Sequence, residues 1–423
     1  MAGSNGRNGR NGRRVVVTGM GAITALGNNV GEFWQNCLEG KSGVGYVTQF
    51  DASGYPSRIA GEVKGFDPLD HMDRRDARRM SRFSQFAIAA SRQALEDAEL
   101  DLESEDRARV GVILGNGIGG LTNIEQAVHT IREKGGMRID PFFMPKMLPN
   151  MAAAQLSMIF GVKGYSNTVI TACAAGTQAM GDSLDLLRSG RADVAITGGT
   201  EAALCELGLC GFAVMRALST RNDEPQKASR PFDADRDGFV AAEGAGMFVF
   251  EELEHARQRG APVIAEIAGY GACNDAYHMV APCADGEGAI RAMTWAMEDA
   301  GVSTEDIDYI NAHGTSTKLN DSAETTSIKK TFGELAYRIP ISSTKSMVGH
   351  SFGAAGAIEC VACLQTIRNG VIHPTINYDN PDPECDLDYV PNEARRADVN
   401  VALKNSFGFG GQNACLVFKR FDG

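Results

Sequence analysis

The sequence lacks both a long hydrophobic run and an excess of basic residues. No stretch of about 18 consecutive apolar residues occurs, so no membrane-spanning helix is predicted. Acidic residues outnumber basic ones by 53 to 41, and a formal net charge of −12 argues against nucleic acid as the main partner. No low-complexity linker divides the chain, so its parts are expected to pack as one body.

Cysteine usage points away from disulfides and from metal. Ten cysteines are scattered through the chain, and 423 residues provide enough core to make disulfides unnecessary. Cys360 and Cys363 form a C-x-x-C pattern inside an apolar helix, and no second pair follows at zinc spacing. This favours one turn of packed helix. The sequence therefore predicts reduced thiols, no metal and a cytoplasmic location.

The first 14 residues differ from the rest of the chain. Residues 1 to 14 repeat Asn-Gly-Arg three times and contain arginines but no acidic residue. This composition predicts a disordered tail. If the tail is the remnant of a transit peptide, the location would be an organelle matrix instead.

Two halves with the same order of elements follow this tail. Each half, 15 to 260 and 261 to 423, contains strand-like runs that end in glycine or small residues, with helical patterns between them. The alternation predicts an α/β fold, and the echo between the halves suggests duplication. Residues 121 to 165 are interpreted as an irregular insertion that shapes a pocket or a subunit contact.

Cys173 lies among small residues where a strand end turns into a helix. Peptide N–H groups and the helix dipole favour negative charge there, so the sequence predicts a thiol pKa below the ordinary value of about 8.5. The small neighbours would let a thioester carbonyl approach the sulfur. The alternative is a buried structural cysteine.

Two glycine motifs match other classes of enzyme. GNGIGG at 115 to 120 fits the dinucleotide fingerprint, but the second strand with its acidic residue is missing. GHSFG at 349 to 353 fits the serine-hydrolase elbow, with Ser351 as nucleophile. The only later histidine is His373, and too little chain follows the serine for the remaining strands. Both interpretations are disfavoured.

Two further turns of small residues carry histidines. His313 follows a strand in NAHGTSTKLND, and His350 follows Lys345 before a helix in TKSMVGHSFGAAGAIE. The glycine-rich turn NSFGFGGQN carries Phe407 and Phe409 and can place a backbone N–H near a thioester oxygen. In a duplicated fold these turns would converge with the cysteine elbow on one pocket.

Together these motifs resemble the signatures of the β-ketoacyl-acyl carrier protein synthases, the elongating condensing enzymes of fatty acid synthesis. The likeness runs from about residue 14 to the C-terminus. It implies a thiolase-like fold, with duplicated halves in a layered αβαβα arrangement, and a homodimer. It also implies decarboxylative condensation of an acyl thioester with malonyl-acyl carrier protein. The only prosthetic group involved would be the carrier's own phosphopantetheine.

The resemblance assigns roles to individual residues. Cys173 would hold the acyl group, and the N–H groups of Cys173 and Phe409 would form the oxyanion hole. His313 and His350 would stabilise the enolate as neutral donors. The other assignments are a supporting pair, Lys345 and Glu359; phosphopantetheine contacts, Thr315 and Thr317; gate residues, Phe407 and Phe409; and an acyl-pocket residue, Ile118.

A basic stripe is predicted on one helix, at Arg74, Arg75, Arg78, Arg79 and Arg82. Its ordinary interpretation is a solvated face. On a chain of net charge −12 it would also attract an acidic partner. The resemblance implies that this stripe, with Arg216, docks the acidic carrier protein.

Within the resemblance, three points remain open. Lys318 stands where the family commonly has proline, which bears on the turn at the channel mouth. A polyketide-type ketosynthase shares the motifs, while an initiating synthase would carry His and Asn in place of His313 and His350. A non-catalytic chain-length partner subunit typically lacks the cysteine, so Cys173 argues against it.

Substitution of Cys173 and of Ser351 distinguishes the condensing-enzyme hypothesis from the serine-hydrolase hypothesis. C173A is expected to abolish acyl transfer and condensation, because no other thiol would accept the acyl group. S351A is expected to leave an acyl-enzyme able to form. Mass spectrometry after incubation with acyl carriers reports the adduct. Loss of labelling in S351A alone would establish the hydrolase.

Overall fold

The computed structural model describes residues 12 to 423. The strands are β1 Val15–Ile23, β2 Gly45–Tyr46, β3 Ile59–Ala60, β4 Val110–Gly115, β5 Ser166–Val169, β6 Val194–Glu201, β7 Gly244–Glu252, β8 Ala265–Asn274, β9 Tyr309–Asn311, β10 Ile341–Ser342, β11 Val371–Ile372, β12 Arg395–Arg396, β13 Val401–Gly408 and β14 Gln412–Lys419. The helices are α1 Val30–Leu38, α2 Arg74–Arg79, α3 Arg82–Asp97, α4 Leu121–Lys134, α5 Phe143–Met147, α6 Met151–Phe160, α7 Ala175–Arg188, α8 Glu206–Val214, α9 Leu253–Arg259, α10 Glu287–Ala300, α11 Lys318–Phe332, α12 Lys345–Val348 and α13 Ala355–Asn369.

Ten of these strands form one sheet in which two five-stranded halves mirror each other. The order along the sheet is β10-β9-β13-β14-β8-β1-β7-β6-β4-β5. Outward from the centre, each half presents its first, fifth, fourth, second and third strand in chain order. Parallel and antiparallel pairings also match between the halves. The duplication inferred from the sequence is therefore present in the topology.

Helices cover the two half-sheets and fill the space between them. Helix α3 packs on β1 and β7, and α10 packs on β8 and β14. Helices α7 and α13 contact strands of both halves, so they form the central layer. The predicted thiolase-like αβαβα layering is confirmed.

Burial is most complete in this central layer, because one half of the sheet packs on each of its two sides. Every residue of α13 from Ala355 to Ile367 is buried. Cys360 and Cys363 lie in this run with no exposed surface, which confirms the packed helical turn. All ten cysteines are free. Within residues 12 to 423, no three His, Cys, Asp or Glu side chains are grouped to hold a metal ion.

Three local expectations need correction. The segment 121 to 165 is not irregular, since it contains α4, α5 and α6. The arginine stripe does not run along one helix, because α2 ends at Arg79 and a new helix begins at Arg82. Arg82 leaves the stripe to form a two-pronged ion pair with Glu243, at 2.8 and 2.9 Å.

The predicted tail includes residues 1 to 11, which lie outside the described part of the chain. It also includes Arg13 and Arg14, and for these two residues the prediction is wrong. Arg13 pairs with Asp193 at 2.7 Å, and Arg14 pairs with Glu266 at 2.7 Å. These contacts tie the start of β1 to both halves.

In the part of the chain described, no helix has the length and apolar character needed to cross a bilayer.

The central layer leaves no room for one added methyl group on the strand beside it. A Cβ at Gly246 of β7 would lie 2.6 Å from the carbonyl carbon of Ala357 in α13. G246A should therefore destabilise the protein by about 1–3 kcal/mol through overpacking. Urea unfolding measures the loss. G136A is the control, since a Cβ there meets nothing within 4 Å; equal midpoints for the two variants would contradict this packing.

Candidate active site

The site is built on two equivalent elbows, one from each half; the cysteine elbow follows strand β5, and the other follows the short helix α12. Each has a single 3-10 turn before a central helix, at Ala172–Ala174 before α7 and at Phe352–Ala354 before α13. Each begins on a non-glycine residue with positive φ, +49° at Ala172 and +47° at Phe352. Such strain persists only where the surrounding structure enforces it. Cys173 occupies its elbow at the position that Gly353 takes in the other.

The two elbows touch each other closely. A Cβ at Gly176 would lie 2.8 Å from the carbonyl oxygen of Gly353, and a Cβ at Gly356 would lie 2.0 Å from Oγ1 of Thr177. Glycine is required at this contact because any side chain would separate the helices. The contact places the cysteine elbow beside the turn that carries His350.

One cavity of about 640 Å³ opens in front of both elbows. Its walls bring together most of the residues that the sequence singled out. These are Cys173, Arg216, His313, Thr315, Thr317, Lys318, His350, Phe407 and Phe409.

Cys173 is half-buried at this cavity, and the glycine-rich turn lies directly against it. A Cβ at Gly408 would lie 2.7 Å from the Thr171 carbonyl oxygen and 3.1 Å from the Cys173 nitrogen. The backbone N–H of Phe409 faces the thiol and lowers its pKa. That N–H is therefore within reach of an acyl oxygen on the sulfur.

The expected direction of the Cys173 pKa shift is wrong. Burial raises the pKa of the Cys173 thiol to about 12, and the charge of Lys345 and the Phe409 N–H lower it only in part. The sulfur sits in an enclosed turn, where loss of water disfavours the thiolate more than the helix N-terminus favours it. In the free protein the thiol is protonated at neutral pH.

His313 is a neutral imidazole whose orientation is fixed from behind. Burial, followed by the charge of Lys345, holds its pKa well below the ordinary value. The Lys345 ammonium lies 3.3 Å from Nδ1 and donates to the His313 carbonyl oxygen at 2.7 Å. An ammonium can only donate, so Nδ1 accepts and the ring proton is carried by Nε2.

His350 is the second neutral imidazole. Its ring meets that of His313 edge to face, with centroids 5.5 Å apart. Phe239 and Phe352 pack on it, each with centroids at 5.3 Å. Burial and then the charge of Lys345 hold its pKa well below the ordinary value.

Lys345 and Glu359 form a buried ion pair beneath the histidines. Nζ lies 2.5 Å from Oε1, and each residue is 1% exposed. Sequence reasoning named this pair as support. The structure places both residues outside the cavity wall, where they act through His313.

Several buried charged residues near the site were missed. Glu324 accepts from the backbone N–H groups of His313 and Gly314, each at 2.8 Å, and so fixes that turn. Asp321, one helical turn earlier, accepts from the Thr315 N–H. Their i, i+3 spacing after the histidine was the available signal.

Two more missed residues lie deeper. Glu201 accepts from the backbone N–H groups of Gly117 and Gly353, and burial raises its pKa to about 8. Lys404 is fully buried on β13 and approaches Glu359. For Lys404 the signal was a lysine directly after the apolar start of the strand, residues 401 to 403.

The threonines and Lys318 form the mouth-side wall of the cavity. The Oγ1 atoms of Thr315 and Thr317 lie 2.9 Å apart. Thr317 caps α11, and Lys318 is its first helical residue. Proline is also favoured at that position, so lysine and proline fit the same turn. The turn that holds His313 is intact.

The remaining predicted residues lie outside the cavity wall. Ile118 packs in an apolar cluster with Phe212 and Phe352, behind the cavity. The docking arginines of α2 are exposed except Arg79, which is half-buried with its guanidinium 5.1 Å from the Phe142 ring centroid. Arg216 is exposed at the cavity.

The geometry excludes both the dinucleotide site and the serine-hydrolase site that the two rival motifs suggested. In GNGIGG, the N–H groups of Gly117, Gly119 and Gly120 are bound by Glu201, Asn116 and Met147, so they cannot hold a pyrophosphate. Ser351 is buried and does not line the cavity. The His373 ring bonds instead to residues of the core, namely Tyr309, Asn311, Ser342, Thr344 and Pro374.

One cavity, between duplicated α/β halves, is lined by a cysteine and two neutral imidazoles. This is the arrangement of a thiolase-like condensing enzyme. Comparison with protein families agrees. The model described as Beta-ketoacyl synthase, N-terminal domain, matches residues 12–256, and that for the C-terminal domain matches 264–379. The chain belongs to the beta-ketoacyl synthase family.

Individual proteins show the same likeness. The chain is similar to 3-oxoacyl-[acyl-carrier-protein] synthase 2 of Synechocystis sp., with 51% identity over 97% of this chain and 98% of the relative. It is 49% identical to the protein of that name from Staphylococcus aureus, over 97% and 99%. A solved structure, described as a type II PKS acyl-carrier protein in complex with its ketosynthase bound to the hexaketide, is 38% identical. The match covers 97% of this chain and 100% of the chain in the solved structure, with a TM-score of 0.88.

The high pKa of Cys173 predicts how its reactivity depends on pH. Only the thiolate is alkylated, so the iodoacetamide rate at Cys173 should rise about tenfold per pH unit between about pH 7 and 9 without a plateau. Peptide mass spectrometry measures this rate. A small-molecule thiol, with a pKa of about 8.5, serves as the control that does bend over. A plateau at Cys173 below about pH 8 would show a thiolate stabilised by the helix N-terminus.

Proposed function

We propose that the chain carries an acyl group as a thioester on Cys173 and condenses it with malonyl-acyl carrier protein. The product is a β-ketoacyl-acyl carrier protein two carbons longer, in fatty acid elongation. The observation that supports this proposal is the single cavity shared by Cys173, His313 and His350. The acyl groups arrive on the carrier's phosphopantetheine, so no further cofactor is needed.

In the first half-reaction, Sγ of Cys173 attacks the carbonyl of the incoming acyl thioester. A carbon–sulfur bond forms to Cys173, the bond to the pantetheine sulfur breaks, and the thiol proton ends on the departing thiol. The negative oxygen of the intermediate is held by the N–H groups of Cys173 and Phe409. The raised pKa of Cys173 means that its proton leaves as the sulfur attacks.

In the second half-reaction, malonyl-carrier loses CO₂ and the electron pair of the broken bond forms an enolate. The imidazoles of His313 and His350 stabilise the enolate oxygen as neutral donors. The enolate carbon then attacks the acyl carbonyl, and Cys173 departs and takes up a proton. Lys345 and Glu359 serve this step by holding Nε2–H of His313 toward the cavity.

The cavity walls divide the remaining work. Thr315 and Thr317 bind the phosphopantetheine arm, and Phe407 and Phe409 gate the access of substrate to the thiol. Ile118 lies in the apolar cluster into which an acyl chain beyond the cavity would extend.

The acidic carrier protein would dock on the exposed arginines, because the chain is otherwise strongly acidic. Arg216 at the cavity places one positive charge where the pantetheine arm enters. The other arginines proposed for docking are those of α2, namely the exposed Arg74, Arg75 and Arg78 and the half-buried Arg79.

A homodimer is favoured by the open end of the sheet. Strand β5 is the edge strand, and an unpaired edge invites pairing with a second copy. Apolar side chains are exposed beside it, with Ile170 at 55% and Met158 at 68%. For location we propose the cytoplasm, where ten free cysteines would remain reduced.

A polyketide ketosynthase is the second candidate, since a type II polyketide complex is among the similar structures. Identity to that structure is 38%, whereas identity to the two 3-oxoacyl-[acyl-carrier-protein] synthases is 51% and 49%. The comparison favours fatty acid elongation. Cys173 disfavours a chain-length partner subunit.

Removal of either imidazole should separate the two half-reactions. H313A and H350A are expected to form the acyl-enzyme while condensation falls about 10²–10³-fold, because each variant lacks one donor to the enolate. Mass spectrometry measures acyl-Cys173 and the β-ketoacyl product in the same sample. The control is H129A, which alters an exposed histidine on α4. Condensation at the wild-type rate in both variants would refute the proposal.

A further inference from the structure

Lys404 is a buried lysine to which the mechanism above gives no role. It lies on β13 with no exposed surface, between the apolar Leu403 and the glycine-rich turn. A lysine is almost never fully buried without a partner, since desolvation of the ammonium costs several kcal/mol. Its burial therefore points to charged partners within the protein.

Its ammonium shares one carboxylate with Lys345. Nζ of Lys404 lies 2.8 Å from Oε2 of Glu359, while Lys345 holds Oε1 at 2.5 Å. The Lys404 contact is ionic, because its angle is not that of a directed hydrogen bond. A chain of charges thus runs from Lys404 through Glu359 and Lys345 to the ring of His313.

The same ammonium also holds the glycine-rich turn. It donates to the backbone oxygen of Asn405 and, at 3.2 Å, to Oγ of Ser406. Ser406 in turn hydrogen-bonds to Thr177 of α7 at 2.7 Å, one turn beyond Cys173. Lys404 is therefore linked through Glu359 and Lys345 to the His313 turn, and through Ser406 to the helix that follows Cys173.

Its charge reaches both imidazoles. Burial lowers the pKa of His313 and His350 most, and the positive charges of Lys345 and Lys404 lower both further. Burial alone would lower the pKa of Lys404, but Glu359 and neighbouring groups raise it above the ordinary value, so the lysine stays charged. Each imidazole has the other as a titratable neighbour. The further titratable groups around the pair are Cys173, Glu324, Lys345, Glu359 and Lys404.

We infer that Lys404 is a positioning residue for condensation, whose ammonium fixes Glu359 and the turn 405 to 409 and adds positive charge beside both imidazoles. This inference rests on the proposed function. Methionine, an apolar side chain of similar length, would fill the same space. It would supply neither the charge opposite Glu359 nor the donors to Asn405 and Ser406.

The test compares the pH profiles of the two half-reactions in K404M, K404Q and K404R. Loss of the charge raises the pKa of both histidines, so they protonate at higher pH. Protonated Nδ1 of His313 cannot accept from Lys345. The acid limb of condensation should therefore move to higher pH in K404M and K404Q, with a larger fractional loss at about pH 6 than wild type shows. Cys173 acylation should fall far less, and K404R should keep the wild-type limb.

K419M is the matched control, because Lys419 lies on the neighbouring strand β14 and donates to the Ala300 oxygen. K404Q keeps a donor in place and carries the test if K404M does not fold. An equal loss at every pH in all three Lys404 variants, or a profile like that of K419M, would overturn the inference. Wild type that acylates but never condenses would overturn the proposed function instead.

Discussion

The ion pair between Lys345 and Glu359 is the interaction on which the site depends. Two charges, each 1% exposed, are placed beneath the cavity at 2.5 Å. Breaking a buried pair by removing one partner typically costs about 3–5 kcal/mol. Removal of Glu359 would leave the buried ammonium groups of both Lys345 and Lys404 without this carboxylate. The pair fixes the tautomer of His313. Because the Lys345 ammonium can only donate, Nδ1 of His313 must accept, and the ring proton on Nε2 faces the cavity. A surface ion pair would not impose this constraint.

The duplicated fold explains why this pair meets a cysteine. Each half places a strained elbow before a central helix, and the elbows meet through glycines at 176, 353 and 356. One elbow carries the sulfur. In the other, Gly353 fills the equivalent position, and His350 precedes it. Duplication followed by divergence of one position thus gives a nucleophile on one side and donors on the other.

Sequence reasoning predicted the layered fold and brought Cys173, His313 and His350 to one pocket, because those residues stand in short motifs at strand ends. It failed where a property depends on surroundings that no motif encodes. The helix N-terminus at Cys173 suggested a lowered pKa, but enclosure by the glycine-rich turn raises it. Lys404 and Glu201 were missed because their partners lie on other elements, with Glu359 45 residues from Lys404 and Gly117 and Gly353 84 and 152 residues from Glu201. Arg82 was assigned to the stripe because nothing in the local sequence indicates its ion pair with Glu243.

The protonation state of the histidines is the most direct test of this account. Long-range ¹⁵N–¹H NMR of histidine-labelled protein near pH 7, with H313A and H350A for assignment, reports the charge and tautomer of each ring. The account predicts two neutral imidazoles and, for His313, a proton on Nε2. An imidazolium at either position, or a proton on Nδ1 of His313, would contradict it.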